Sequence, residues 1–240
     1  MKCLCIIPVF NEETKLNKLI QAIKKNLHRS YNLKYLFVNN GSTDNSLKII
    51  KKNKLSYISL NKNYGVGYAL IRGYLHAKKN NFTIVVHLAG NGKMNPAQIP
   101  VFLKEIIKNK YDFVSGSRFL KKKSHKQNPL YRIILIRIFS LFLSLVAQKK
   151  ITDCSCGFRA FKTSVFKNFK SNFLKKNLFT YGYEYFSYGK IINSKKIMSK
   201  EVPITMNYPS KKNYTKMKPF VDWYIMAKFW ILGYYDNKKI

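Results

Sequence analysis

Carboxylates are what this sequence has least of. Asp and Glu together number 10 in 240 residues, against 45 Lys and Arg, for a formal net charge of +35. So few acids leave little material for the anionic oxygen cages that hard divalent cations prefer. Long apolar runs are missing too. The nearest to a bilayer span is IILIRIFSLFLSLVA at 133–147, broken by Arg137 and flanked by KKKSHK and QKK, and it is expected to be too short to cross. Cysteine is limited to Cys3/Cys5 and Cys154/Cys156. Residues two apart on a strand share a face, so a paired metal site is conceivable, but C-x-C is not the usual zinc spacing. Reduced thiols in a cytosolic protein are the simpler reading. No leader peptide is expected, because strand-like sequence begins within two residues of Met1. Repeats and long linkers are absent.

What is present is a folded protein. Hydrophobic residues make up 46% and aromatics 15%, which excludes a disordered basic tail. The length suits one large α/β domain or two small ones. The positive charge has two readings. Lys, Asn, Ile, Tyr and Phe are abundant together and the lysines scatter along the chain, as an AT-rich coding bias would produce. Alternatively the field attracts an anionic partner, a membrane surface foremost. Nucleic acid is disfavoured, since neither a basic recognition helix nor an RNA-binding aromatic motif is seen.

The first half alternates strand and helix. CLCIIPVF (3–10) is a short apolar run, and EETKLNKLIQAIKKNL sets Leu16, Leu19, Ile20, Ile23 and Leu27 on one helical face. KYLFVNN, LSYISL, FTIVVHLA and YDFVSGSRF read as strands. STDNSLKIIKK, GVGYALIRGYLHAKK and PAQIPVFLKEIIKNK read as helices between them. Such alternation predicts a mostly parallel, doubly wound sheet with helices on both faces, whose ligands bind beyond the carboxyl ends of the strands. The polar stretches PVFNE, NNGSTD, HLAGNGK and GSR all fall at those ends. After about residue 125 an apolar helix (131–147) precedes TDCSCGFRAF, KIMSKEVPITMNY reads as a strand, and PFVDWYIMAKFWILGYY as a last helix. Both helices have apolar faces and basic or Trp/Tyr-bearing flanks, which fits either a membrane interface or core packing.

CIIPVFNEE, VNNGSTDNS, NKNYGVGYAL, GSRF, DCSCGFRAF and KEVPI occur in the order and spacing of family 2 glycosyltransferases. Over residues 2–208 the chain resembles that family, in the branch with dolichyl-phosphate mannose synthases and undecaprenyl-phosphate sugar transferases. The resemblance implies a GT-A fold over residues 1–210, with 211–240 as a terminal amphipathic helix that either joins the domain or associates with membrane. It implies an inverting transfer from a UDP- or GDP-sugar to a polyprenyl phosphate or surface glycan, normally with Mg²⁺ or Mn²⁺. It places Pro8, Phe10 and Glu12 around base and ribose, and Val38 and Asn40 at the base. Arg118 falls near a donor or acceptor phosphate, and Asp153 and Arg159 on the acceptor side. Each has a structural alternative: Glu12 as a first-turn helix residue, Arg118 as half of a salt bridge, Asp44 as a helix-start residue. Glu184 stands where the family often has an acid, serving either as base or as a helix-surface residue. A phosphate acceptor removes the need for a base. Glu201 in KEVPI reads as structural. The glycines of NKNYGVGYAL serve either a close ligand approach or a tight turn.

The chain departs from the family at HLAGNGKMNP, residues 87–96. The acidic positions of the family's Asp-x-Asp-Gly-Gln loop fall on Ala89 and Asn91, with Gly90 between them, and the glutamine on Lys93. Asn39-Asn40 likewise replaces the Asp-Asp that commonly precedes Gly-Ser. No acid lies in the loop, so no metal ligand is assigned. Either Lys93 supplies the charge a metal would give, or the loop has decayed and a non-catalytic nucleotide-sugar-binding or scaffolding protein remains, or Lys93 is one surface lysine among many. The expected function is sugar transfer at the cytosolic face of a bacterial membrane. Family members often continue into transmembrane helices; here only peripheral attachment is expected.

Overall fold

The structure is a computed structural model that describes residues 1–26, 31–121, 130–166, 178–207 and 221–236. Leu27, Tyr208, most of the KKKSHK flank and the 210/211 boundary lie outside the described residues. The elements run β1 (Cys3–Val9), α1 (Glu13–Lys25), β2 (Leu33–Asn40), α2 (Ser46–Lys52), β3 (Tyr57–Leu60), α3 (Val66–Lys79), β4 (Ile84–His87), α4 (Ile99–Ile107), β5 (Phe113–Ser117), α5 (Leu130–Ala147), β6 (Arg159–Lys162), α6 (Gly182–Asn193), β7 (Ser199–Pro203) and α7 (Val221–Tyr234). The alternation read from the sequence is therefore present. Leu16, Leu19, Ile20 and Ile23 form the buried face of α1.

Seven strands form one sheet in the order β3-β2-β1-β4-β6-β5-β7. The pairs β1–β2, β1–β4, β2–β3 and β5–β7 are parallel. β6 runs antiparallel between β4 and β5, with His87 opposite Arg159 and Ser115 opposite Arg159. Helices cover both faces. One core packs α1, α2 and α4 on Cys3, Cys5, Ile7 and Val86. The other packs α3, α5, α6 and α7 on Leu4, Ile6, Val38 and Val85. Because β1 sits between β2 and β4, the connections diverge on either side of it, and a crevice opens where its loop leaves the sheet.

One expectation needs correction. The helix read as 131–147 begins at Leu130 and runs 18 residues with mean hydropathy 2.0, so by length and composition it could cross a membrane despite Arg132 and Arg137. Only a narrow stripe of it, Ile136, Ser140, Leu143 and Ala147, is buried. In α7, Trp230 is fully buried and takes the core alternative, while Trp223 is partly buried against the same core. All four cysteines are free and buried. Burial raises the thiol of Cys3 to about 11 and those of Cys154 and Cys156 to about 12, which makes them poor ligands and nucleophiles at neutral pH.

α6 and α7 cross at glycines. A Cβ on Gly189 would lie 2.1 Å from the Trp230 carbonyl oxygen, and one on Gly233 would lie 2.0 Å from that of Phe186. Helix propensity alone would make Gly189→Ala stabilising by about 1 kcal/mol. The backbone clash outweighs it, and the expected net loss is about 1–3 kcal/mol. A lower urea midpoint checks this; a raised one would mean that the two helices do not touch there.

Candidate functional site

The loops after β1 and β2 are laced together. Asn11, in the left-handed region at φ 51°, receives a hydrogen bond from Thr43 N at 2.9 Å, and its own N–H donates to Ser42 Oγ. Glu12 N–H donates to Ser46 Oγ, Glu13 N–H donates to Asp44, and Asn45 N–H donates to Glu13. Asp44 also accepts from Ser46 N at 2.9 Å, so its carboxylate ties together the starts of α1 and α2. The β4 loop joins this group at Gly90. Its N–H donates to Pro8 O at 3.2 Å, and a Cβ there would meet the same oxygen at 2.7 Å, so glycine is needed for the approach. Pro8, Phe10 and Ala89 are half-buried around this junction.

The same loop carries Lys93. Gly92 is left-handed at φ 70°, Asn91 Oδ1 accepts from Lys93 N at 3.1 Å, and Lys93 O accepts from Asn207 N at 2.9 Å. The loop is thus fixed at both ends of the lysine. Burial, and then the positive charges of Arg132, Lys15 and Arg118, press the Lys93 ammonium down to about 8, with Glu12 pulling the other way. These groups come from α1, the β4 loop, the end of β5 and the first turn of α5. Four cations therefore converge on the carboxyl edge of the sheet.

The acids at that edge are mostly engaged. Glu12 takes Lys15 Nζ at 3.1 Å. Asp153 is fully buried and holds Arg118 through both guanidinium arms, Nε to Oδ2 and Nη2 to Oδ1 at 2.7 Å each, and also accepts Arg118 N–H. Glu201 accepts from the backbone N–H groups of Thr152 and Asp153 and so fixes that turn. Among the described residues, no group of three or more His, Cys, Asp or Glu could hold a metal ion. Ala89, Asn91 and Lys93 do not fit a divalent cation either.

Glu184 differs. Its carboxyl lies over Gly157, whose Cβ would sit 3.1 Å from Oε1 and 3.7 Å from Met94 Cε. Met94 in turn accepts Ala89 N–H through Sδ, which puts Glu184 on the same cleft as the β4 loop. No hydrogen bond from a described residue reaches the Glu184 carboxyl. Burial raises its pKa and Arg159 lowers it, the first effect being larger. Arg159 is buried, donates to the carbonyls of Glu184 (2.9 Å) and Cys154 (3.4 Å), and lies 4.4 Å over the Tyr188 ring. It orients the start of α6 and does not point at solvent. His87, last in β4, is buried edge-on to Phe161, and burial with Arg159 holds its pKa near 3, so it stays neutral.

Pro8, Phe10, Glu12, Ala89, Gly90, Asn91, Lys93, Arg118, Asp153, Arg159 and Glu184 thus gather along one edge. Two residues do not present themselves there. Val38 is fully buried in the core and has no surface to offer a base. Asn40 uses both ends of its amide on the protein: Nδ2 donates to Asn63 at 2.8 Å and Oδ1 accepts from Tyr64 N at 3.1 Å. The α3 glycines meet the protein's own backbone as well, since Gly67 and Tyr68 N–H donate to Thr180 and Phe179 carbonyls. Lys15 and Arg132 were not singled out from the sequence. Their signals were a lysine three residues after Glu12 and an arginine inside an apolar helix.

Removing one partner of a buried ion pair leaves an uncompensated charge. Asp153→Ala is expected to cost about 3–5 kcal/mol of stability. Adding Arg118→Met is expected to restore part of that loss in chemical denaturation, and strictly additive losses would contradict the pairing.

The family model for Glycosyl transferase family 2 matches residues 4–169. A UDP-N-acetylglucosamine–dolichyl-phosphate N-acetylglucosaminyltransferase of Methanococcus voltae is 31% identical over 221 residues, covering 85% of this chain and 84% of the relative. An undecaprenyl-phosphate 4-deoxy-4-formamido-L-arabinose transferase of Edwardsiella ictaluri is 27% identical over 68% of this chain and 49% of its own length. In fold, glucosyl-3-phosphoglycerate synthase of Mycobacterium tuberculosis matches 97% of this chain and 78% of its own at TM-score 0.65 and 13% identity. A Pyrobaculum calidifontis mannosyltransferase in complex with GDP-Man and Mn²⁺ matches 89% and 58% at TM-score 0.60 and 14% identity. With this sheet order and this cleft, the matches settle the lineage: the chain belongs to glycosyl transferase family 2 and is a glycosyltransferase of the GT-A fold.

Proposed function

We propose that the enzyme transfers a sugar, with inversion, from a nucleoside-diphosphate donor to a polyprenyl phosphate while resting on the cytoplasmic face of a membrane. The observation that carries this reading is α5. The charge of Arg132 in its first turn acts on Lys93 of the cleft. The same helix exposes Leu135, Ile138, Leu141, Phe142 and Leu145. One element thus joins a phosphate-attracting cleft to an apolar surface, which is what an acceptor with an anionic head and a hydrocarbon tail needs. The Methanococcus and Edwardsiella relatives, named for dolichyl- and undecaprenyl-phosphate transfer, support that acceptor class.

α5 is tied sideways to the domain. Cys154 N–H donates to Ser140 Oγ, and Ile151 N–H donates to Ser144 Oγ. A helix held along its length in this way lies against a bilayer more readily than it crosses one. The net charge of +35 adds attraction to anionic lipid. Leu141 and Leu145 are exposed at 62% and 71%, so charging them leaves the core intact. The double variant Leu141→Glu/Leu145→Glu is expected to lose flotation with vesicles containing anionic lipid while keeping its thermal midpoint; undiminished flotation would contradict docking through α5.

In the transfer, an oxygen of the acceptor phosphate attacks the anomeric carbon. The bond from that carbon to the donor diphosphate breaks, and the nucleoside diphosphate leaves. A phosphate nucleophile is already ionised, so no base is required. Incubation with radiolabelled UDP- and GDP-sugars and polyprenyl phosphate in detergent tests the reading, with labelled lipid as the expected product. Glu184→Gln is expected to slow transfer by less than about tenfold, well short of the 10²–10⁴-fold that loss of a general base causes. A loss of that larger size would point to a hydroxyl acceptor with Glu184 as its base.

A further inference from the structure

The nucleoside-diphosphate donor proposed above raises a question that the cleft itself answers, and the inference rests on that donor reading. We propose that Lys93, flanked by Lys15 and Arg132, binds the donor diphosphate in place of a divalent cation, so that sugar transfer by this enzyme needs no metal.

The donor set is wrong for a metal and right for an anion. In the β4 loop the side chains are Ala89, Asn91 and Lys93; Asn91 already accepts Lys93 N–H. Of the acids at the edge, Glu12 holds Lys15, Asp153 holds Arg118 by two arms, and burial favours the neutral form of Glu184. A hard dication placed among Lys15, Lys93, Arg118 and Arg132 would be repelled and would find few anionic oxygens. A diphosphate meets the opposite balance. Its charge grows on the leaving oxygen as the anomeric bond breaks, and fixed cations at that point stabilise the departing group. No proton has to move in this step.

Lys93 is placed for the task. A surface lysine on a loose loop would hold no fixed direction. Here Gly92 turns the chain at φ 70°, Asn91 closes the turn and Asn207 N–H pins the Lys93 carbonyl. Lys93 is half-buried, and the charges that act on it come from Arg132 of α5, Lys15 and Glu12 at the start of α1, and Arg118 after β5. Burial, and after it those like charges, bring its ammonium to about 8 without ligand. A bound diphosphate reverses the balance and raises it. Affinity is therefore full below pH 8 and falls as pH rises through the ionisation of Lys93.

The test is calorimetric titration of UDP and GDP into the full chain, in chelator and then in Mn²⁺. Expected are dissociation constants equal within about twofold in the two buffers, a loss of about tenfold or more in Lys93→Ala, and retention in Lys93→Arg. Between about pH 7 and about pH 9.5 the wild type should weaken, while Lys93→Arg should stay level. Lys79→Ala, at the far end of α3, controls for unspecific attraction and should bind as wild type. Binding that demands Mn²⁺ and ignores Lys93→Ala would overturn the inference and leave the donor reading standing. Failure of every nucleotide to bind in either buffer would overturn both.

Discussion

The position of β1 governs the rest. It pairs in parallel with β2 on one side and β4 on the other, and the chain runs outward through β2 and β3 before it returns past β1 to β4. Loops leaving those strands must part there, and the gap between them is where a ligand can reach backbone. Gly90 closes the floor of that gap by touching Pro8 O, a contact no side chain would allow. Around this junction lie the laced loops of β1 and β2, the pinned turn of Lys93, and the corner formed by Arg159 and Glu184.

Charge then decides what the gap can hold. The chain's excess of lysine looks diffuse in sequence, but the cleft selects from it. Lys15, Lys93, Arg118 and Arg132 come from four separate elements, and burial, followed by their mutual repulsion, lowers the pKa of Lys93. Asp153 and Glu12 restrain two of them. The buried pair of Arg118 with Asp153 is less a store of stability than a device of position, because desolvation offsets much of its Coulomb energy. It fixes the edge of β5 against the turn that leads to β6.

Much of the fold was legible because each parallel strand announces itself by an apolar run and each helix by its period, as Leu16, Leu19, Ile20 and Ile23 do. β6 was not, since four residues, RAFK, carry no alternation and owe their place to β4 and β5 on either side. α6 was not delimited, because most of GYEYFSYGKIIN is buried and no single apolar stripe marks it; its Gly189 is there for Trp230. The site residues were found by position in motifs, which transfers location but not exposure. Val38 shows the limit: it stands two residues before the end of β2, and its side chain faces the core. The Arg118–Asp153 pair, Lys15 and Arg132 depend on distant segments meeting, and nothing local encodes that.

The family relationship supplies the reaction class; the cleft's departure from a carboxylate-bearing loop gives this enzyme its particular character. The most direct measurement is a crystal structure with a UDP- or GDP-sugar soaked in the presence of a chelator. The account predicts the diphosphate seated between Lys93, Lys15 and Arg132, with the sugar toward Glu184. A nucleotide bound elsewhere, or one that enters only with a metal ion held between the phosphates and the protein, would contradict it.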